Sequence, residues 1–191
     1  MLETMAAVAS AVVAAFALLF TWREVRLRAL RTEDVFKWAN ESIATLNSLY
    51  LLIYLSRHQR GAPSDADKRN EEIIFSTSSL AEQGRLLFKN THFGSYGTEK
   101  KPAYRGLRPL ILDYLVIAHQ VALEWQTASE ERQAALEVIA EDCAKSFVSL
   151  AQDEVGRKSA ASKEAQRGGD GSNLAYLLGE VTPNQMAGRR R

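Results

Sequence analysis

Residues 5–22 read MAAVASAVVAAFALLFTW, eighteen positions of which only Ser10 and Thr21 are polar. That is about the minimum length of helix able to cross roughly 30 Å of hydrocarbon, so the stretch reads as a membrane span. Its composition is the weak point, because seven alanines contribute less to insertion than leucine or phenylalanine would. The alternative is a buried soluble helix. A cleaved leader would carry positive charge ahead of the apolar run, whereas Met1, Leu2, Glu3 and Thr4 carry none. The positive charge follows instead, as Arg23, Arg26, Arg28 and Arg31, and Lys and Arg beside a span tend to stay in the cytoplasm. Trp22 stands where an indole favours the headgroup boundary. These residues predict a single pass through the inner (plasma) membrane, with the N-terminus outside and the rest of the chain in the cytoplasm. Ala7, Ala11 and Ala15 lie four apart, as do Ala6, Ser10 and Ala14, giving a small-residue face on which spans could associate.

Outside that stretch the chain reads as one modest domain. Its 191 residues suffice for an anchor and a single core. With 24 basic against 23 acidic residues the net charge is +1, so whole-chain electrostatics give no case for nucleic acid, and any such case must come from a local patch. The only cysteine, Cys143, cannot form an intrachain disulfide, which fits a reducing cytosol.

The expected fold class is all-α: a transmembrane helix, a roughly four-helix cytoplasmic bundle and a flexible tail. Residues 1–31 are the anchor and its basic border, 32–158 the bundle, and 159–191 the tail. Thr32, Glu33 and Asp34 offer a cap and first-turn acids for a helix running to about Arg57, on which Val35, Trp38, Ser42, Ile43, Leu46, Tyr50 and Ile53 recur largely at spacings of three and four. The apolar end of this helix, within 43–55, is too short and too interrupted to make a second span the first choice. Gly61 to Ser64 form a turn, and Ile73, Thr77, Leu80, Gly84 and Leu87 trace a second helix ending near Phe88. A third opens at Pro109 and is apolar nearly all round, which places it centrally. Thr127 and Glu130 resemble a capping box ahead of a fourth helix carrying Leu136, Ala140, Cys143, Phe147 and Leu150. From Ser159 the composition turns to Ser, Lys, Gln and Gly, too polar to offset the cost of ordering. Leu174, Tyr176, Leu177 and Leu178 form an apolar island within it, suited to docking on the bundle or a partner. Arg189 to Arg191 make a basic cluster suited to anionic lipid.

The search for chemistry returns little. His58, His92 and His119 lie apart with no metal-ligand spacing, no glycine-rich phosphate loop ends in Gly-Lys-Ser/Thr, and no nucleophile elbow occurs. Neither metal nor cofactor is expected. The informative stretch is Lys89 to Gly106, eighteen residues where a bundle needs far fewer. Phe93, Tyr96 and Tyr104 can pin this connection, while Asn90, His92, Lys100, Lys101 and Arg105, with Arg108 just beyond, can face a ligand or partner. Basic and aromatic side chains so interleaved suit phosphate or a stacked base, and solvation with packing is the plain alternative. Asp113, a carboxylate on an apolar helix, needs a partner such as Arg85, Arg105 or Arg108. It is otherwise a candidate catalytic acid.

Arg85 and His92 have six residues between them, a spacing that resembles the Arg-x(4–6)-His signature of HEPN ribonucleases, helical-bundle proteins of defence and toxin systems. The resemblance implies that Arg85 stabilises phosphate and His92 serves as acid or base in RNA cleavage. Leu86 stands where that family usually has a polar residue, and the likeness covers this motif alone. Three functions follow as expectations. The first is a non-enzymatic, membrane-tethered interaction or signalling module, touching lipid through residues 5–22 and binding a protein partner or another copy of itself. The others are a tethered HEPN-like ribonuclease and a membrane-disrupting effector.

Overall fold

The computed structural model describes residues 2–58, 65–92, 94–155 and 174–183, with side chains for all of these except 2–13, 15 and 28. Five α-helices make up the described chain: α1 (Leu2–His58), α2 (Ala66–Leu87), α3 (Leu110–Glu124), α4 (Glu130–Glu154) and α5 (Leu174–Glu180). A short 3-10 turn, Pro102–Tyr104, lies between α2 and α3. The chain is all-helical, as the 3.6-residue periodicity predicts. Among the described residues the one departure is an isolated antiparallel bridge between Thr91 and Leu107.

The bundle is built from the C-terminal part of α1 with α2, α3 and α4. Trp38 Nε1 donates to the Leu80 carbonyl at 2.9 Å, and Arg31 reaches the Leu87 carbonyl, so α2 runs back along α1. Asn70 Nδ2 bonds the Ala122 carbonyl at 2.9 Å, and Trp125 Nε1 donates to Asn70 at 2.8 Å, so α3 returns along α2. Trp38 packs its ring 5.4 Å from Phe147, while Arg57 pairs with Glu137, which makes α4 antiparallel to α1. The four helices thus alternate in direction, and α1 borders both α2 and α4. Leu46, Leu49, Ile53, Ile111, Leu112, Leu115, Val121, Leu136 and Phe147 are fully buried at the centre. One face of the apolar run near 43–55 is therefore core, while Leu51 and Tyr54 stay exposed. α3 buries Ile111, Leu112, Leu115, Ile117, Ala118, Val121 and Ala122, but it borders α2 and α4 as α1 does and leaves Leu123 exposed, so it is one of four equal walls and not a central helix.

Several expectations are corrected. No break separates the N-terminal segment from the helix that enters the bundle; α1 is one helix of 57 residues. Thr32, Glu33 and Asp34 cap nothing. Residues 23–34 contain no Gly or Pro and are rich in Arg, Leu and Glu, so helical bonding carries through three potential capping residues. At α4 the cap is Ser129, whose hydroxyl accepts from the Arg132 amide, and Thr127 instead donates to the Glu124 carbonyl. The tail is not wholly without structure, since α5 lies against α3 and α4 with Leu174 buried. The apolar island supplies enough burial to order one short helix where its neighbours are polar. The rest of 159–191, the Gly61–Ser64 turn and Phe93 lie outside the described residues.

Among the described residues, no helix is long and apolar enough to cross a membrane. The side chains of 5–13 and 15, including Ala7, Ala11 and Ala15, lie outside them. From Phe16 to Asp34 every described side chain is exposed, and among the described side chains of α1 the first buried one is Val35. The N-terminal part of α1 therefore projects from the bundle.

Candidate ligand cleft

The connection between α2 and α3 is an ordered loop. Thr91 and Leu107 exchange backbone bonds of 2.8 Å in both directions and close its neck. Gly106, at φ 81°, makes that closure possible: a Cβ there would lie 2.3 Å from the Thr91 carbonyl oxygen. Gly94 and Gly97 also take positive φ and turn the chain through the loop tip. The Asn90 side chain donates to the Arg105 carbonyl at 2.9 Å, tying the two limbs together, and Arg105 Nε donates to the Lys100 carbonyl at 3.0 Å.

The loop, the last turn of α2 and the entry to α3 enclose a cleft of about 520 Å³ lined by Arg85, Asn90, Tyr96, Lys100, Lys101, Tyr104, Gly106, Leu107, Arg108 and Asp113. A chain of matched charges runs beside it. Glu82 accepts from the Tyr104 hydroxyl at 2.7 Å and from Arg85 Nε at 3.2 Å, while the Arg85 guanidinium lies 4.4 Å from the centre of the Tyr104 ring. Partial burial opposes ionisation of Glu82, but the bonds from Tyr104 and Arg85 outweigh it and hold the carboxyl below its ordinary range. The same bond to Glu82 pushes the Tyr104 phenol up, so it stays protonated and donating. Arg108 meets Asp113 at 2.7 Å, and this partner explains how a carboxylate only 2% exposed is tolerated on α3. Lys100 lies over the Tyr96 ring, 5.3 Å from its centre.

Most of the residues singled out in the loop thus meet in one place. His92 and Arg105 do not line the cleft; His92 is exposed, and Arg105 is turned onto the Lys100 backbone. Arg85 is held by Glu82 and Tyr104, so the cleft brings Arg85 to Asp113 and Arg108 rather than to His92. Glu82 escaped the sequence reading although it holds two lining residues, Arg85 and Tyr104; its i, i+3 spacing to Arg85 was the available signal. A second polar cluster also escaped it. Glu137, 1% exposed on α4, is bound by Arg57 and by His58 Nε2 at 3.1 Å, at the opposite end of the bundle. Among the described residues no group of three or more His, Cys, Asp or Glu is placed to hold a metal ion.

No protein-family model matches the chain, and comparison with the curated proteins and with the solved structures found no match.

Proposed function

We propose that this protein is a membrane-tethered helical module that works by binding rather than by chemistry, with residues 5–22 in the bilayer, the N-terminus outside and the bundle at the cytoplasmic face. One observation carries the reading: the part of α1 that projects from the bundle presents Phe16, Leu18, Leu19, Phe20 and Trp22 to its surroundings, each at least 58% exposed. A run of apolar side chains so placed marks a surface meant for lipid or for another protein. Arg23 and Arg26 follow directly, and the Arg26 guanidinium lies 5.3 Å from the centre of the Trp22 ring. An aromatic ring backed by a cation suits the boundary between hydrocarbon and water. The same projecting helix is the surface through which copies would associate.

Alkaline carbonate extraction of membranes tests the tether. The full chain is expected in the pellet and a chain lacking residues 5–22 in the supernatant. Recovery of the full chain in the supernatant without detergent overturns the reading. Protease digestion of sealed cells that removes the C-terminal tail overturns the orientation.

A further inference from the structure

The end of the bundle from which α1 projects is also the end that carries the cleft. Arg31 donates to the Leu87 carbonyl at 3.4 Å, which sets the last turn of α2 level with the arginines that follow the apolar run. Arg26 and Arg23 lie on the same helix five and eight residues earlier, or about 8 and 12 Å nearer that run at 1.5 Å per residue. Both are exposed.

The charge in the cleft is unbalanced. Four lining residues, Arg85, Lys100, Lys101 and Arg108, are cationic against one carboxylate, Asp113. Arg108 is matched by Asp113 and Arg85 by Glu82. Two lysine charges remain, and among the described residues neither Lys100 nor Lys101 has a carboxylate within ion-pair distance. The loop bearing them is fixed by the Thr91–Leu107 closure and by Asn90, so little ordering is needed when a ligand enters. A compact anion with several acceptor oxygens fits such a site: lysines act as point charges and arginines as planar forks toward phosphate. Tyr96 and Tyr104 each carry a cation over one ring face, so both rings help to hold the positive charge at the cleft.

We propose that this cleft binds the phosphate of an anionic lipid headgroup, with Lys100 and Lys101 as its main contacts and Arg85 and Arg108 behind them. The lipid source rests on the tethering proposed above, whereas the phosphate chemistry rests on the cleft alone. The exposed arginines of α1 draw the same anionic surface toward the bundle.

The test uses the full chain in neutral detergent, titrated with dihexanoyl phosphatidic acid, dihexanoyl phosphatidylcholine and glycerol 3-phosphate, with binding read by native mass spectrometry. Phosphatidic acid is expected to bind most tightly. Lys100→Gln combined with Lys101→Gln is expected to weaken it roughly 25-fold, a factor of about five for each charge. Lys100→Arg with Lys101→Arg should retain binding, and circular dichroism should show unchanged helicity in both variants. Equal affinity for phosphatidic acid and phosphatidylcholine, or unchanged affinity in the glutamine variant, overturns the proposal. If glycerol 3-phosphate binds as tightly as phosphatidic acid, the lipid source is overturned. Binding in detergent solution does not depend on whether residues 5–22 insert, so its failure is distinct from failure of the carbonate extraction.

Discussion

Gly84 sits where α2 passes closest to its neighbours: a Cβ there would lie 2.3 Å from Leu112 Cδ2 and 2.9 Å from Trp38 Cζ2. Both neighbours are buried, and the indole is also held by its bond to Leu80. Alanine gains about 1 kcal/mol of helix propensity over glycine, but overpacking of a filled core costs about 1–3 kcal/mol. Gly84→Ala is therefore expected to lower stability by about 1 kcal/mol in denaturant unfolding; a gain would mean that Leu112 moves freely. Cys143 gives a second residue-scale prediction. Burial, aided by the nearby Asp142 charge, pushes its thiol far above the ordinary cysteine range, so no nucleophilic thiolate forms at neutral pH. A thiol reagent should leave the folded protein unmodified and label it fully in denaturant. At this scale the sequence was partly legible. The lone Asp113 demanded a partner, and Arg108 was among the three arginines offered. Glu137 gave no such warning, because Arg57 and His58 come from 80 and 79 positions away.

Among elements, periodicity found the four helices of the bundle, misjudged their limits and missed α5. The apolar faces of α2, α3 and α4 were plain because burial imposes a repeat on sequence. Capping residues carried less weight, since a Thr-Glu-Asp triplet caps only where the preceding residues leave the helix, and in α1 they do not. The loop between α2 and α3 was legible as a candidate site by its length. Its closure was not, because a bridge between Thr91 and Leu107 depends on a glycine whose φ sequence alone does not reveal. The C-terminal end of α4 supplies the prediction here. Burial raises the Glu154 carboxyl, Arg31 partly offsets this, and Asp153 adds to it. A carboxyl raised in the folded state weakens folding once it ionises, so the penalty is present at neutral pH and disappears as pH falls through the carboxylate range. Glu154→Gln should therefore stabilise the protein by a few tenths of a kcal/mol at pH 7, this half-exposed group being screened by solvent. Titration of the difference should show it vanish under acid conditions; a difference that grows toward low pH would contradict the cause.

For the whole molecule, the alternation of helix direction separates two polar clusters to opposite ends. The cleft lies at the end where α1 leaves the bundle, and the Arg57, His58 and Glu137 cluster at the other. The buried cluster is a liability once broken, since a lone charge left inside costs about 3–5 kcal/mol. Arg57→Met should destabilise the bundle by about 3 kcal/mol in denaturant unfolding, moderated by His58. The pair Arg57→Met with Glu137→Met should recover most of that loss. No recovery would mean that Glu137 holds the fold through contacts other than this pair. Because α1 runs without a break from the apolar segment into the core, the number of residues between Trp22 and Val35 is itself a setting. One residue added there would swing the bundle by about 100° and lift it by about 1.5 Å, turning the cleft's mouth aside without altering any part of it.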